Sequence, residues 1–351
     1  MITTSPVPAE AEALETCDSW EEQLIDRLLP ATTSCEGGIA HLATVNLYVA
    51  LKSRPLAIFV GPQSSGKKAL VQRIARLLVS DERRFCTMVG HARWAAGSAH
   101  VGMLVEAQTR LNKNALFTFI DEAWQPEHRG DAYLVCLERI SPAELGPFFT
   151  RSGLELLFRQ FLHWNEPQTL PVLPYPPNLI LIGTVDAPRF RWWEASLLER
   201  ATVVPWPTEA MVEQPAPEEP PATACDKSFL SSCLRSPALA YARLSHLMRH
   251  VETPFAPFVR AATALEEEAL RLPHQVTQAV VTFAGNAWSD TGKGLFHGEP
   301  AANLEIALKL GIVQHVLPWL QSKGELSPTI RDRLYRLLGE PYVTLARILV
   351  G

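Results

Sequence analysis

Residues 56–78 read LAIFVGPQSSGKKALVQRIARLL. The stretch opens with five apolar residues, passes through a loop with two glycines, and closes on a run with helical spacing. Leu70, Val71, Ile74, Leu77 and Leu78 recur at three- and four-residue intervals, as an amphipathic helix requires. A short, wholly apolar run before a glycine loop suits a strand buried on both faces. Gly61, four residues, Gly66 and Lys67 have the spacing of a phosphate-binding loop. In such a loop backbone N–H groups and the helix N-terminus cradle an anion. The next residue of that motif is Ser or Thr. Here it is a second lysine, Lys68. The same residues also suit a plain glycine turn between strand and helix, so the surrounding pattern has to decide.

Working outward, the chain has 351 residues, enough for two cores or one large one. It is 47% hydrophobic and 20% charged, with a net charge of −5. That balance is typical of globular proteins, and it lacks the basic footprint of a nucleic-acid binder. No apolar run has membrane-spanning length, and the acidic N-terminus is unlike a signal peptide. The six cysteines are scattered without a CxxC pair, which argues against a zinc site or a disulfide framework. A cytoplasmic chain is the expectation.

Helices are expected over WEEQLIDRLLP and from Ile39 to Lys52. RFCTMVGHARW, ALFTFIDEAW, NLILIGTVD and the ATVVP part of LLERATVVPWP are expected to be further strands. GDAYLVCLERIS and SGLELLFRQFLHW are read as helices. Strands alternating with helices predict an α/β parallel sheet with flanking helices. Residues 205–222 hold six prolines and four glutamates with no basic residue, the composition of a linker. The remainder reads as helical, with Ser327, Pro328 and Gly339 bounding one helix. The expected division is an extension over 1–30, an α/β domain over 31–204, a linker over 205–225 and a helical domain over 226–351.

Two further stretches carry chemistry. FTFIDE ends four mostly apolar residues on Asp121 and Glu122, the pattern of a strand delivering a metal-holding carboxylate and a base. LILIGTVD ends a strand on Thr184 and Asp186, polar groups that would face the same crevice.

The order of these segments resembles the AAA+ ATPases, and within them the McrB-like branch near the MoxR-type chaperones. The resemblance covers residues 40–205 well and the helical part loosely. It is carried by KSRPLAIFVGPQSSGKKALVQRIARLL, HARWAAGSAHVGML, ALFTFIDEAWQPEHRGDAYLVCLERI, PPNLILIGTVD, SLLERATVV and LEIALKLGIVQHVLPWLQ. It implies a P-loop NTPase sheet followed by a smaller all-α lid. It implies that Gly61, Ser64, Ser65, Gly66, Lys67, Lys68 and Thr184 meet ATP or GTP, with Lys67 on the β- and γ-phosphates. Asp121 would serve Mg²⁺ and Glu122 the attacking water. Asp186 stands where the family has a sensor Asn. Arg200 would act as a finger on a neighbouring subunit's nucleotide, with Arg189 and Arg191 as rivals for that role.

The chain would then be a subunit of a homo-oligomer, or of a hetero-oligomer with other AAA+ chains. It would drive a nuclease effector, remodel a client protein in the MoxR manner, or serve as a non-catalytic nucleotide-binding scaffold. Lys68 offers no oxygen to Mg²⁺, and Asp186 puts a carboxylate near a polyanion. Both departures point to slow hydrolysis and weakened metal dependence.

Overall fold

The computed structural model describes residues 20–29, 38–63, 65–79, 81–89, 122–139, 176–187, 198, 200–208, 226–324 and 326–350. Helix α1 (Trp20–Leu28) and helix α2 (Ile39–Ser53) precede the first strand. Strand β1 (Leu56–Gly61) runs into the glycine loop and helix α3 (Lys67–Leu78). Strands β2 (Phe85–Val89), β3 (Tyr133–Glu138), β4 (Leu179–Asp186) and β5 (Ala201–Pro205) complete a sheet in the order β2-β3-β4-β1-β5. Every pairing is parallel.

All six residues of β1 and of β3 are buried, as expected of strands covered on both faces. The core of buried side chains is continuous from α1 to the last helix.

Strand β3 corrects the sequence reading. GDAYLVCLERIS was expected to be a helix, yet Tyr133–Glu138 is an interior strand between β2 and β4. Six consecutive apolar residues leave no polar stripe for a solvated helix face, whereas a doubly covered strand wants them. In ALFTFIDEAW, the stretch expected to be the strand in this position, the first seven residues lie outside the described residues, and residues 122–124 are helical, not extended. The place between β2 and β4 is filled without it.

Strand order also locates a crevice. The chain leaves β1 toward β2, past β4 and β3, and leaves β4 toward β5, past β1. The connections part at the carboxyl ends of β1 and β4, the position where open α/β sheets bind ligands.

The C-terminal part is helical: α4 (Asp226–Ser232), α5 (Pro237–Leu247), α6 (Ala256–Glu266), α7 (His274–Gly285), α8 (Pro300–Gly311), α9 (Leu317–Lys323), α10 (Pro328–Leu338) and α11 (Tyr342–Val350). A π-helical turn, Ile312–Val316, joins α8 to α9. Helix α11 packs on β1 and β5, and α7 packs on α2. Val280, Phe283, Leu304, Leu308 and Val316 are buried on the inner faces of these helical segments. Ser327 caps α10, its Oγ accepting from the Ile330 N–H at 3.2 Å. No helix among the described residues is long and apolar enough to cross a membrane.

One buried polar network ties the N-terminal helices to the C-terminal part. The Glu21 carboxylate accepts from the Lys52 ammonium at 2.6 Å, the Tyr48 hydroxyl at 2.7 Å and the Asp290 N–H at 2.6 Å. Lys52 also donates to the Trp288 carbonyl at 3.1 Å. Burial pulls the Lys52 ammonium down, and Glu21 opposes it.

Candidate functional site

The glycine loop connects β1 to α3 at the carboxyl edge of the sheet. Gly66 has φ 73, in the left-handed region that side-chain-bearing residues avoid. This turn sets the direction of α3 and starts it at Lys67. Gly61 is held by close approach: a Cβ there would lie 2.3 Å from the Trp206 carbonyl oxygen. Trp206, buried just past β5, donates from its indole Nε1 to the Ser65 carbonyl at 2.9 Å. Its own N–H donates to the Val60 carbonyl at 2.7 Å. The exit of β5 thereby clamps both ends of the loop.

Lys67 is buried, and its ammonium turns back onto the loop. It donates to the carbonyls of Gly61 at 2.9 Å and Pro62 at 2.5 Å and to Ser65 Oγ at 3.3 Å. Asp186, at the end of β4, stands 3.3 Å away and opposite Gly61 in the sheet register. Burial lowers the Lys67 pKa, and the Asp186 charge resists that shift. The pair therefore sits in the crevice between β1 and β4, its positive charge collared by oxygen atoms.

Lys68 points along the same edge to the end of β3. Its ammonium reaches both oxygens of Glu138, at 3.0 and 3.2 Å. Glu138 is largely buried, while the Lys68 side chain is 62% exposed. The following residue, Arg139, has φ 54, and its N–H donates to Thr184 Oγ1 at 3.1 Å. A non-glycine residue in that region is uncommon, and such strain gathers at functional sites. Burial, with Glu138 adding to it, pushes the Cys136 thiol up to about 12.

The structure thus brings Gly61, Ser65, Gly66, Lys67, Lys68, Thr184 and Asp186 to one edge. Ser64 and Asp121 lie outside the described residues, as do Arg189 and Arg191. Glu122 is placed elsewhere, which corrects the role expected of it. It is exposed in a helical turn that leads through His128 and Asp131 into the N-terminal end of β3. Asp131 is 2.8 Å from Arg84, at the entry of β2. Burial pushes the Tyr133 phenol up, and Glu122 and Asp131 add to that against Arg84. Glu122 therefore belongs to the amino edge of the sheet. A six-residue strand spans about 20 Å at 3.3 Å per residue, so Glu122 is out of reach of Lys67.

Arg200 is exposed just before β5, also at the amino edge. It cannot serve its own chain's crevice from there.

Glu138, Arg139 and Trp206 are the site residues that the sequence reading missed. The signal for Glu138 was a six-residue apolar run ending in a carboxylate, the same pattern for which FTFIDE was chosen.

A scan against protein-family models, a search of curated proteins and a search of solved structures each found no match to this chain.

Proposed function

We propose that the chain is a P-loop nucleotide-binding subunit of the AAA+ type, in which binding, more than hydrolysis, is the working step. The observation that carries this reading is the placement of Lys67. Its ammonium is buried in the crevice between β1 and β4, at the start of an amphipathic helix and beyond a left-handed glycine. Four oxygens of the protein surround it, and a triphosphate would exchange for them. The N-terminus of α3 adds its partial positive charge to the same point.

Hydrolysis needs a free base within hydrogen-bond reach of an attacking water. Of the carboxylates described at this edge, Asp186 is paired with Lys67 and Glu138 with Lys68. Arg139 follows Glu138, where a base would be useful. These pairings support a scaffold or regulator that is switched by nucleotide occupancy.

Arg200 on the opposite edge suits an interface in which one subunit's arginine approaches its neighbour's nucleotide. The ring, its effector and the choice between ATP and GTP belong to the same proposal. The helices after residue 226 would act as the lid.

The test is a fluorescence titration with N-methylanthraniloyl-ATP and the corresponding GTP. Lys67→Ala is expected to abolish binding, while Glu122→Gln leaves the affinity unchanged. Equal affinity for the parent and Lys67→Ala would refute the reading and leave the loop a structural turn.

A further inference from the structure

The nucleotide site proposed above would ordinarily use Mg²⁺, held by the hydroxyl after the P-loop lysine and by a carboxylate at the end of a neighbouring strand. The residues described at this edge do not fit that ion. Mg²⁺ demands oxygen donors in near-octahedral array. The position after Lys67 carries the ammonium of Lys68, which has no oxygen to give. The strand-end carboxylate, Glu138, already has both oxygens on that ammonium, at 3.0 and 3.2 Å. Among the described residues no group of three His, Cys, Asp or Glu side chains could hold a metal ion.

We infer that this site takes nucleotide free of divalent metal, the Lys68–Glu138 pair standing where a metal and its carboxylate would otherwise be. The inference rests on the nucleotide-binding reading and adds the chemical form of the ligand. Two consecutive lysines start α3, so Lys67 from the loop, and Lys68 by swinging off Glu138, would bring two positive charges to the phosphates without any bound ion. A divalent cation entering beside them would be repelled by both ammoniums. It would also have to displace Lys68 to gain a single carboxylate.

Glu138 has a further part in the arrangement. It is largely buried, so its charge needs a partner, and Lys68 supplies it from the solvent side. The long lysine stem can swing from the carboxylate to a phosphate oxygen while keeping its charge in the crevice. A shorter or neutral side chain at residue 68 would leave Glu138 exposed to an incoming metal.

The experiment uses the full chain and N-methylanthraniloyl-ATP, titrated in excess MgCl₂ and again in excess EDTA. The parent is expected to bind in EDTA at least as tightly as in Mg²⁺, within about threefold. Lys68→Thr restores an oxygen donor and frees Glu138. It is expected to lose about tenfold in EDTA and to recover in Mg²⁺. Because Lys68 is exposed, this variant is expected to fold, and circular dichroism checks that it does.

A parent that binds about tenfold more weakly in EDTA overturns the inference while leaving the nucleotide reading intact. A Lys68→Thr variant as indifferent to metal as the parent overturns the assignment to this ion pair. No binding by the parent in either buffer overturns the nucleotide reading, and this inference with it.

Discussion

Replacing Lys52 with methionine tests the buried network that joins α1 and α2 to the C-terminal helices. Lys52 and Glu21 are both fully buried. Methionine matches the volume of the lysine stem and removes only the ammonium. The Glu21 carboxylate would keep the Tyr48 hydroxyl and the Asp290 N–H but lose the ammonium that contacts it, leaving Arg243 as a nearby cation. The Trp288 carbonyl would lose its donor as well. Breaking a buried ion pair from one side costs about 3–5 kcal/mol, because a charge is left uncompensated. A second change, Glu21→Gln, removes that charge; the amide oxygen can still accept from the Asp290 N–H while its NH2 donates to the Tyr48 hydroxyl oxygen. The double variant is therefore expected to regain at least about half of the loss. Urea unfolding followed by tryptophan fluorescence gives both numbers, with Trp20 and Trp288 beside the network as local reporters. Should Lys52→Met unfold within about 1 kcal/mol of the parent, or the double variant be no better than the single, the charge argument fails.

Gly61→Ala is expected to destabilise the chain by about 1–3 kcal/mol, because the new Cβ overlaps the Trp206 carbonyl oxygen. A thermal melt equal to the parent's would show that β5 yields freely at this point. His315, in the π-helical turn, is buried, and its Nε2 has no hydrogen-bond partner among the described residues. Burial first, and Arg54 second, hold its pKa well below the usual imidazole value. The unfolded chain then binds a proton that the native chain refuses, so stability is lost as pH falls through the unfolded value near 6.5. Between about pH 7 and pH 5.5 this one group accounts for about 1 kcal/mol, which His315→Leu should remove from the pH dependence of urea unfolding. A slope that is unchanged in the variant would refute it.

Much of the sheet was legible because its strands announce themselves locally. LAIFV, LILIGTV and ATVV are apolar runs of strand length, closed by Gly61, Asp186 and Pro205. The misreading of β3 has the same physical origin as its importance. An interior strand is apolar on both faces, and periodicity alone does not separate it from a short buried helix. What separates them here is length and bounds: Ala132 to Leu137 lies between Gly130–Asp131 and Glu138–Arg139, too short for an independent helix. FTFIDE offered an apolar run with two acids and drew the role of strand-end carboxylate to itself. The choice between the two rests on non-local pairing, Tyr133 against Leu179 and Phe85 against Leu134, which no window of sequence contains.

The site was half legible for a related reason. The loop is local, so Gly61, Gly66 and Lys67 could be read from their spacing. Its counter-charges are not local. Glu138 meets Lys68 across seventy residues of chain, and Asp186 lies farther still from Lys67. Lys68 looked like a missing hydroxyl when only the loop was in view. Set against the end of β3, it is half of an ion pair. That changes the expected consequence of restoring a hydroxyl. With Glu138 already in place, one substitution at residue 68 supplies both a free carboxylate and an oxygen donor. Metal dependence is then the property that should respond first. Turnover should lag behind it, because Arg139 still occupies the position after the carboxylate and no base has been added.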